Sequence, residues 1–261
     1  MVNVMAHRGA SSLAPENSME AFRKAIELSS DYIELDIRRC KTGEIIVMHD
    51  MKVDRTTNGK GYVKKMTLSE IRKLVLKNNE RVPTLEEVMD LVKGKCRLNI
   101  EIKAYRTDME MADKIMDLAK EKKMEKEIMI SSYNHRLLKY IKTKAPDIEI
   151  AALFIDAKNP SLLFRRFYYI GPFLRRVKSI HAENINLPHQ FVTRKLVKAA
   201  MNQGVRVNVW TVNSDRTIER MKSLGVDGMI TNFPQKFFKD NEKEENFKKE
   251  RKSRLKALIR R

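Results

Sequence analysis

The sequence is poor in cysteine and short of acidic residues. Its 261 residues include two cysteines, Cys40 and Cys96, which lie far apart and form neither a CxxC pair nor a metal-ligating spacing with histidine. We therefore expect reduced thiols in a cytoplasmic protein. Acidic residues number 34 against 53 basic ones, which gives a net charge of +19. This excess favours phosphate-bearing partners: a nucleic acid, an anionic membrane surface or a small phosphorylated substrate.

Long apolar runs are lacking as well. The most apolar segment is interrupted by four arginines between residues 165 and 176, so we expect no membrane-spanning helix. The first apolar stretch, Val2–Ala6, is too short for the core of a signal peptide, so we expect no leader sequence.

What the sequence does contain is a regular alternation of strand-like and helix-like segments. The predicted strands are Val2–Ala6, Tyr32–Ile37, Ile45–Met48, Arg97–Lys103, Ile128–Ser132, Ile148–Phe154, Ala182–Leu187, Val205–Thr211 and Gly228–Phe233. The predicted helices are Met19–Ser29, Asp108–Lys122, Asn134–Lys144, Thr193–Gln203 and Asp215–Leu224, with two more beginning at capping-box patterns at Thr67 and Thr84.

This alternation predicts the fold class. If Tyr32–Ile37 and Ile45–Met48 are counted as one unit with a hairpin-like excursion, eight βα repeats remain, which predicts an α/β protein with a (β/α)₈ TIM barrel. The alternative is a doubly wound open sheet, but no GxGxxG follows the first strand. We place the barrel at residues 1–238, a polar, glycine-containing loop insertion at 50–82 after the second strand, and a basic tail at 239–261.

Two of the predicted strands contain acids where a parallel barrel strand is expected to be apolar. Glu34 and Asp36 share one face of the second strand, and Asn99, Glu101 and Lys103 share one face of a later strand. Buried carboxylates need protons or cations nearby, because each costs several kcal/mol when left uncompensated. Lys103 neutralises one acid, and the remaining oxygen ligands favour a hard divalent cation. The alternative is that these acids only form salt bridges at strand ends.

Two histidines follow apolar strand-like runs, and each is predicted to lie at a strand end. His7 opens the tripeptide His7-Arg8-Gly9, and His49 follows Ile45–Met48. Strand ends are where parallel α/β proteins bind ligands, and a pair of imidazoles beside a carboxylate–metal site can serve as general acid and general base. An arginine there can grip a phosphate through two parallel hydrogen bonds.

Together these residues resemble a known family, the glycerophosphodiester phosphodiesterases, in the barrel superfamily that also holds the phosphatidylinositol-specific phospholipases C. The resemblance covers the chain to about residue 235, in family order: His7-Arg8-Gly9, Pro15-Glu16-Asn17-Ser18, Glu34-Leu35-Asp36, His49-Asp50, Arg55–Gly59, Val82–Glu87, Glu101-Ile102-Lys103, Val209–Asn213 and Gly225–Gly228. Asn232 departs from the pattern, since many members carry an acid there.

The resemblance implies roles for eight residues. His7 and His49 would form the acid/base pair, Glu34, Asp36 and Glu101 would bind Mg²⁺ or Ca²⁺, Arg8 and Lys103 would contact the phosphate, and Trp210 would form part of the cavity wall. The implied reaction is metal-dependent hydrolysis of glycerophosphodiesters to glycerol 3-phosphate and an alcohol, in glycerol and lipid metabolism. Alternatives are a lysophospholipase D or a phospholipase C-like enzyme on membrane lipids, an inactive barrel that serves as a binding module, and, ranked well below, a basic nucleic-acid-binding protein.

Two basic segments extend beyond what a compact member of the family needs. Residues 160–178 interleave arginines with aromatic and aliphatic residues and contain no acid, and residues 246–261 are rich in lysine and arginine. Such segments suit an anionic membrane surface, and would bring a lysophospholipid or phosphatidylglycerol-type substrate to the barrel. The equally weighted alternative is an ordinary barrel helix and a solvated tail.

Overall fold

The computed structural model describes residues 2–103, 108–154 and 170–238, and these form a closed barrel of parallel strands. The strands are β1 (Asn3–His7), β2 (Tyr32–Arg39), β3 (Ile45–Val47), β4 (Arg97–Ile102), β5 (Ile128–Ser132), β6 (Glu149–Leu153), β7 (Asn184–Pro188), β8 (Arg206–Trp210) and β9 (Gly228–Thr231). Eight of them pair in parallel, and β1 closes the ring by pairing with both β2 and β9, while β3 joins β2 as an antiparallel outer strand. The predicted TIM barrel, with its hairpin-like excursion, is confirmed.

Helices surround the barrel among the described residues. They are α1 (Met19–Glu27), α2 (Leu68–Ile71), α3 (Leu85–Val92), α4 (Met109–Glu121), α5 (His135–Lys144), α6 (Ile170–Ser179), α7 (Arg194–Met201) and α8 (Asp215–Leu224). Both predicted capping boxes are present, and the side chains of Thr67 and Thr84 accept from the backbone of Glu70 and Glu87. Each such cap stabilises its helix by about 1 kcal/mol.

The strands separate two apolar regions because their side chains alternate in direction. Outward-facing residues such as Ile33, Leu35 and Ile100 pack against the helices in the main core. The barrel interior holds a much smaller apolar cluster of Met5, Tyr32, Met129, Ala151 and Ile230, with Trp210 packed against it. Polar side chains occupy the rest of the interior, at both ends of the barrel.

The segment between β3 and α3 is more ordered than the predicted loop. It contains α2 and two short 3₁₀ helices, Val63–Lys65 and Lys77–Asn79. It also has an apolar core of its own, formed by Cys40, Ile46, Met48, Val53, Val63, Ile71, Leu74, Leu76 and Val82. We call residues 50–82 the insertion.

The predicted basic segments fall largely outside the described residues. Residues 160–169 and 239–261 lie beyond them, whereas residues 170–178 belong to helix α6, which buries Leu174 and Val177 against the barrel. The domain boundaries predicted from sequence remain predictions. Within the described ranges, no helix combines the length and apolarity that crossing a membrane requires.

Candidate active site

The carboxyl-terminal ends of β1, β2 and β4 surround a cavity of 460 Å³. Strand register places His7 beside Glu34, and Asp36 beside Glu101. His7, Arg8, Glu34, His49, Glu101, Lys103 and Trp210 line the cavity, and Asp36 is buried beneath it. The tertiary structure therefore brings together all eight residues singled out in the sequence.

A turn after β1 delivers Arg8 to the carboxylates. Arg8 has φ +57°, and its backbone N–H donates to Glu34 Oε2 at 2.9 Å. Gly9 follows with φ +80°, and a Cβ there would lie 2.7 Å from the Cβ of Ala21 in α1. Only glycine fits that approach without displacing α1, which explains the third residue of His7-Arg8-Gly9.

Three carboxylates converge in the cavity. Glu34, Asp36 and Glu101 each offer an oxygen within 4.8 Å of the others. Lys103 Nζ lies 2.6 Å from Glu101 Oε1 and 3.1 Å from Asp36 Oδ1, and Arg8 Nε lies 3.2 Å from Asp36 Oδ2. Three negative groups thus face two positive ones, and Glu34 is the acid without a lysine or arginine side chain in direct ion-pair contact among the described residues.

The titration of these acids reflects that imbalance. Burial, with the charges of Asp36 and Glu101, raises the pKa of Glu34 well above its usual range. Burial also raises the pKa of Glu101. The pKa of Asp36 is lowered instead, because Lys103 and Arg8 outweigh its burial. Ionisation of Glu34 is therefore costly unless a further cation joins the cluster.

The cluster fits a hard divalent cation. Its donors are all carboxylate oxygens, the ligand type that Mg²⁺ and Ca²⁺ prefer. Asn99, on β4, is the register partner of Glu34 and lines the same cavity. Asn99 is fully buried, and neither the oxygen nor the nitrogen of its side-chain amide has a hydrogen-bond partner among the described residues. Buried polar atoms without a hydrogen-bond partner are rare in proteins, so the amide of Asn99 indicates that the cavity binds a charged or polar ligand.

His7 is held so that one ring nitrogen faces the carboxylates. Its Nδ1 lies 2.6 Å from Asn232 Oδ1, and its Nε2 lies 3.9 Å from Glu34 Oε2. Because an amide oxygen only accepts, Nδ1 carries the hydrogen and Nε2 keeps its lone pair. Burial, followed by the charge of Arg8, lowers the pKa of His7 to about 4. Asn232, where the family commonly has an acid, is thus a neutral partner of His7.

His49 has a charged partner instead. Its Nδ1 lies 2.7 Å from Asp50 Oδ1. Burial lowers the pKa of His49, while Asp36 and the hydrogen bond to Asp50 oppose that effect. Although burial raises the pKa of Asp50, hydrogen bonds from Arg55 and His49 lower it to about 2, so a full carboxylate faces the imidazole.

Arg38 is a site residue that the sequence interpretation missed. Its Nε and Nη2 donate to the His49 carbonyl at 2.9 and 2.5 Å, and its Nη1 donates to the Lys103 carbonyl at 3.3 Å. The signal was available, because Arg38 continues the inward-facing alternation of Glu34 and Asp36 on β2. Arg38 joins the segments that carry His49 and Lys103.

Part of the cavity wall is apolar. Trp210, Tyr133, Leu153 and Ile230 line this part of the cavity. Asn134, which follows Tyr133, caps α5 by accepting from Leu137 N at 3.1 Å.

A second, polar cavity of 530 Å³ adjoins the first and shares His7 and Arg8 with it. Its lining includes Glu16, Arg55 and Lys77. His7 and Arg8 therefore stand where an apolar-walled cavity meets a polar one.

Comparison with known proteins gives a consistent result. Residues 7–236 match the family model of the glycerophosphoryl diester phosphodiesterase family. The glycerophosphodiester phosphodiesterase of Caldanaerobacter subterraneus is 37% identical over 245 residues, which cover 89% of this chain and 94% of the relative. That of Bacillus altitudinis is 32% identical over 255 residues, 93% of this chain and 99% of the relative. The crystal structure of glycerophosphodiester phosphodiesterase from Thermotoga maritima has a TM-score of 0.75 at 29% identity, covering 91% of this chain and 97% of that one.

Proposed function

Because this chain belongs to the glycerophosphoryl diester phosphodiesterase family, we propose that it hydrolyses glycerophosphodiesters to glycerol 3-phosphate and an alcohol. The observation that carries the proposal is one cavity that holds His7, His49 and the acidic cluster Glu34, Asp36 and Glu101. Each histidine is fixed at Nδ1 by an acceptor, which leaves Nε2 for proton transfer.

Glu34, Asp36 and Glu101 would hold the divalent cation, Mg²⁺ or Ca²⁺. When bound, such an ion acidifies a nearby hydroxyl and stabilises the charge that grows on phosphoryl oxygens. Arg8 and Lys103 would contact the phosphate of the substrate, since both cations line the cavity that also holds the carboxylates. Trp210 would pack against the substrate from the apolar wall.

The histidines divide the proton transfers. The glycerol hydroxyl next to the phosphate attacks phosphorus, and His7 Nε2 accepts the hydroxyl proton while His49 Nε2 donates a proton to the departing alcohol oxygen. The product is a cyclic phosphate and the free alcohol. Water then opens the ring as the roles reverse: His49 Nε2 accepts a water proton and His7 Nε2 returns its proton to the glycerol oxygen.

The hydrogen-bond partners support this assignment. The amide of Asn232 accepts from His7 Nδ1 and leaves a neutral imidazole with a free Nε2 lone pair. The carboxylate of Asp50 supports a positive charge on His49, as a proton donor requires. Each acid/base group of this kind typically contributes about 10²–10⁴ in rate.

The test is glycerol 3-phosphate release from glycerophosphocholine and glycerophosphoethanolamine, with Mg²⁺, with Ca²⁺ and with a chelator. We expect cation-dependent release that His7→Ala abolishes. Release that persists both in chelator and in His7→Ala would overturn the mechanism.

A second candidate is lysophospholipase D activity, and the apolar wall of Tyr133, Leu153, Trp210 and Ile230 favours it. An acyl chain on the glycerol could lie along that wall while the headgroup occupies the polar cavity. Lysophosphatidylcholine distinguishes the candidates: this activity yields lysophosphatidic acid and choline, and a phospholipase C-like enzyme yields phosphocholine. Intact lysophosphatidylcholine beside hydrolysed glycerophosphocholine would exclude both lipid activities.

Contact with an anionic membrane through residues 160–178 and 246–261 belongs to the same lipid hypothesis. Of these, the described Arg175, Arg176 and Lys178 are exposed on α6. Co-sedimentation with anionic and neutral vesicles at low and moderate salt tests it, and equal binding to the two would exclude it.

A further inference from the structure

Arg55, in the insertion, binds two acids beside the active site: Asp50, the first residue of the insertion, and Glu16, in the loop after β1. Its Nε donates to Asp50 Oδ2 at 2.6 Å. Its two terminal nitrogens donate to both carboxylate oxygens of Glu16, Nη1 to Oε2 at 2.8 Å and Nη2 to Oε1 at 2.7 Å. Glu16 follows β1 and Asp50 follows β3, so one guanidinium joins two separate loops of the barrel mouth.

Each of these acids also holds a residue of the proposed mechanism. Asp50 accepts from His49 Nδ1 through its other oxygen. Glu16 Oε1 also accepts from Arg8 Nη1 at 2.9 Å, and Arg8 in turn pairs with Asp36. An unbroken chain of hydrogen bonds and ion pairs therefore runs from His49 through Asp50, Arg55, Glu16 and Arg8 to Asp36.

The insertion holds Arg55 on a fixed turn. Thr57 N donates to the Val53 carbonyl at 3.1 Å, and Asn58 N donates to the Val75 carbonyl at 3.0 Å. Asn58 Oδ1 accepts from Val75 N at 2.9 Å. Val53 is fully buried in the insertion's apolar core, so the backbone on both sides of Arg55 is anchored.

The geometry favours a positional role over a stabilising one. Arg55 is 49% exposed, and exposed ion pairs add about 0–1 kcal/mol to stability. The guanidinium, however, has a planar fork that fits two carboxylates at once, which a lysine ammonium does not. A reacting group displaced by about 1 Å can lose a factor of about 10² in rate, far more than the pair adds to stability.

We propose that Arg55 is a positioning residue that fixes His49 and Arg8 relative to each other, so that the insertion sets the geometry of the acid/base group and the phosphate-binding group. This inference rests on the proposed function for its kinetic test. A separate structural test measures which ring nitrogen of His49 carries the hydrogen.

The kinetic test compares Arg55→Ala and Arg55→Lys with Arg72→Ala. Arg72 is a matched control, because it lies in the same insertion and pairs with a single glutamate, Glu87, at 2.7 Å, away from both cavities. With glycerophosphocholine and saturating Mg²⁺, we expect both Arg55 variants to lose about 10–100-fold in kcat with little change in KM. Arg72→Ala retains the wild-type kcat, and thermal unfolding temperatures of all three variants stay similar.

Added methylguanidinium should partly restore kcat in Arg55→Ala and leave Arg72→Ala unchanged. A kcat in Arg55→Ala equal to that of Arg72→Ala would overturn the proposal. So would full activity in Arg55→Lys, or a rise in KM with unchanged kcat, which would make Arg55 a substrate contact in the polar cavity.

The structural test does not need activity. At a pH where the His49 ring is neutral, ¹⁵N NMR of the wild type, with the ring assigned by its loss in His49→Gln, should show hydrogen on Nδ1. Arg55→Ala should shift the neutral ring toward a mixture of tautomers. An unchanged tautomer would overturn the proposal. If the wild type fails to release glycerol 3-phosphate, the proposed function fails while this measurement still decides the role of Arg55.

Discussion

The two ends of this barrel both hold clustered charge, but the clusters differ in burial and in the sign of the excess charge. At the amino-terminal end, the first residues of β2, β4, β6 and β8 form a cluster of Tyr32, Arg97, Glu149 and Arg206. Glu149 pairs with Arg97 at 3.3 Å and with Arg206 at 2.9 Å. At the carboxyl-terminal end, three carboxylates face two cations and Glu34 has the raised pKa described above.

This difference between the two charged clusters shows which of them is suited to bind a ligand. Burial raises the pKa of Glu149, but the two arginines outweigh it and the net effect is a lowered pKa. Arg97 also lies over the ring of Tyr32 and bonds its hydroxyl. At the amino-terminal end the single acid has two arginine partners, and the excess positive charge lies on Arg206, whose side chain is 41% exposed to solvent. At the carboxyl-terminal end the acids are in excess, and the buried Glu34 has, within the described part of the chain, no cation of its own beside an open cavity. Charge inside this barrel therefore points to a ligand site where a buried acid lacks a cation.

The largest contrast should appear in activity. We expect His7→Ala to lower kcat/KM by about 10²–10⁴, the usual contribution of an acid/base group, with an unchanged circular dichroism spectrum. Glu149→Gln, at the other end, should retain the wild-type kcat/KM in the same assay. Equal losses of kcat/KM in the two variants would contradict a functional difference between the two ends of the barrel.

Cation binding is the next test. Glu101→Gln removes one of the three carboxylate oxygens, so we expect calorimetric titration of the chelator-treated variant with Mg²⁺ to show affinity reduced by about 10–100-fold. The matched Glu149→Gln variant should bind as the wild type does. Unchanged affinity in Glu101→Gln would show that the acidic cluster is only a salt-bridge network.

The cluster at the amino-terminal end of the barrel should instead contribute to the free energy of unfolding. Glu149→Gln leaves two arginines without their shared carboxylate, and we expect a loss of about 1–2 kcal/mol in urea unfolding at pH 7. Because the pKa of Glu149 is lowered on folding, its contribution is present above the unfolded value of about 4.3 and is lost as the pH falls through the folded value. The difference between wild type and variant should therefore shrink on acidification, and a difference that grows below pH 4 would contradict this.

The smallest expected effect is a gain in stability, where the preceding variant loses stability. In chelator, Glu34→Gln should raise the free energy of unfolding by about 1 kcal/mol, because it removes a buried carboxyl group that is costly to ionise on folding, as its raised pKa shows, while keeping an acceptor for Arg8 N–H. Added Mg²⁺ should stabilise the wild type and not the variant. A chelated variant less stable than the wild type would mean that Glu34, like Glu149, stabilises the fold through its carboxylate.

Much of the fold was predictable because it depends on local periodicity. The alternation of strand and helix patterns, and the capping boxes at Thr67 and Thr84, are features of neighbouring residues. The acidic cluster was also predictable in outline, since Glu34, Asp36 and Glu101 interrupt apolar strands at a spacing of two. The same spacing pointed to Arg38, which the interpretation passed over.

The partners of the site residues were not predictable in this way. Glu16 and Arg55 entered the sequence interpretation only as members of stretches that match the family. Their contact joins residues 39 positions apart, and the cluster at the amino-terminal end joins residues from four strands. Nothing in the local pattern of Arg97, Glu149 or Arg206 marks them as mutual partners.

By itself, the sequence determined the barrel, the acidic residues on β2 and β4, and the strand ends that carry His7 and His49, because side-chain periodicity of two and 3.6 is written into neighbouring positions. Only the tertiary structure decided which charges meet. It placed Asn232 against His7, Arg8 against Asp36 and Arg55 between two loops, because closing a barrel brings together strand ends that are distant in sequence. Whether an acid inside the barrel has a cation beside it depends on those distant neighbours, and this distinguishes Glu149 at one end of the protein from Glu34 at the other.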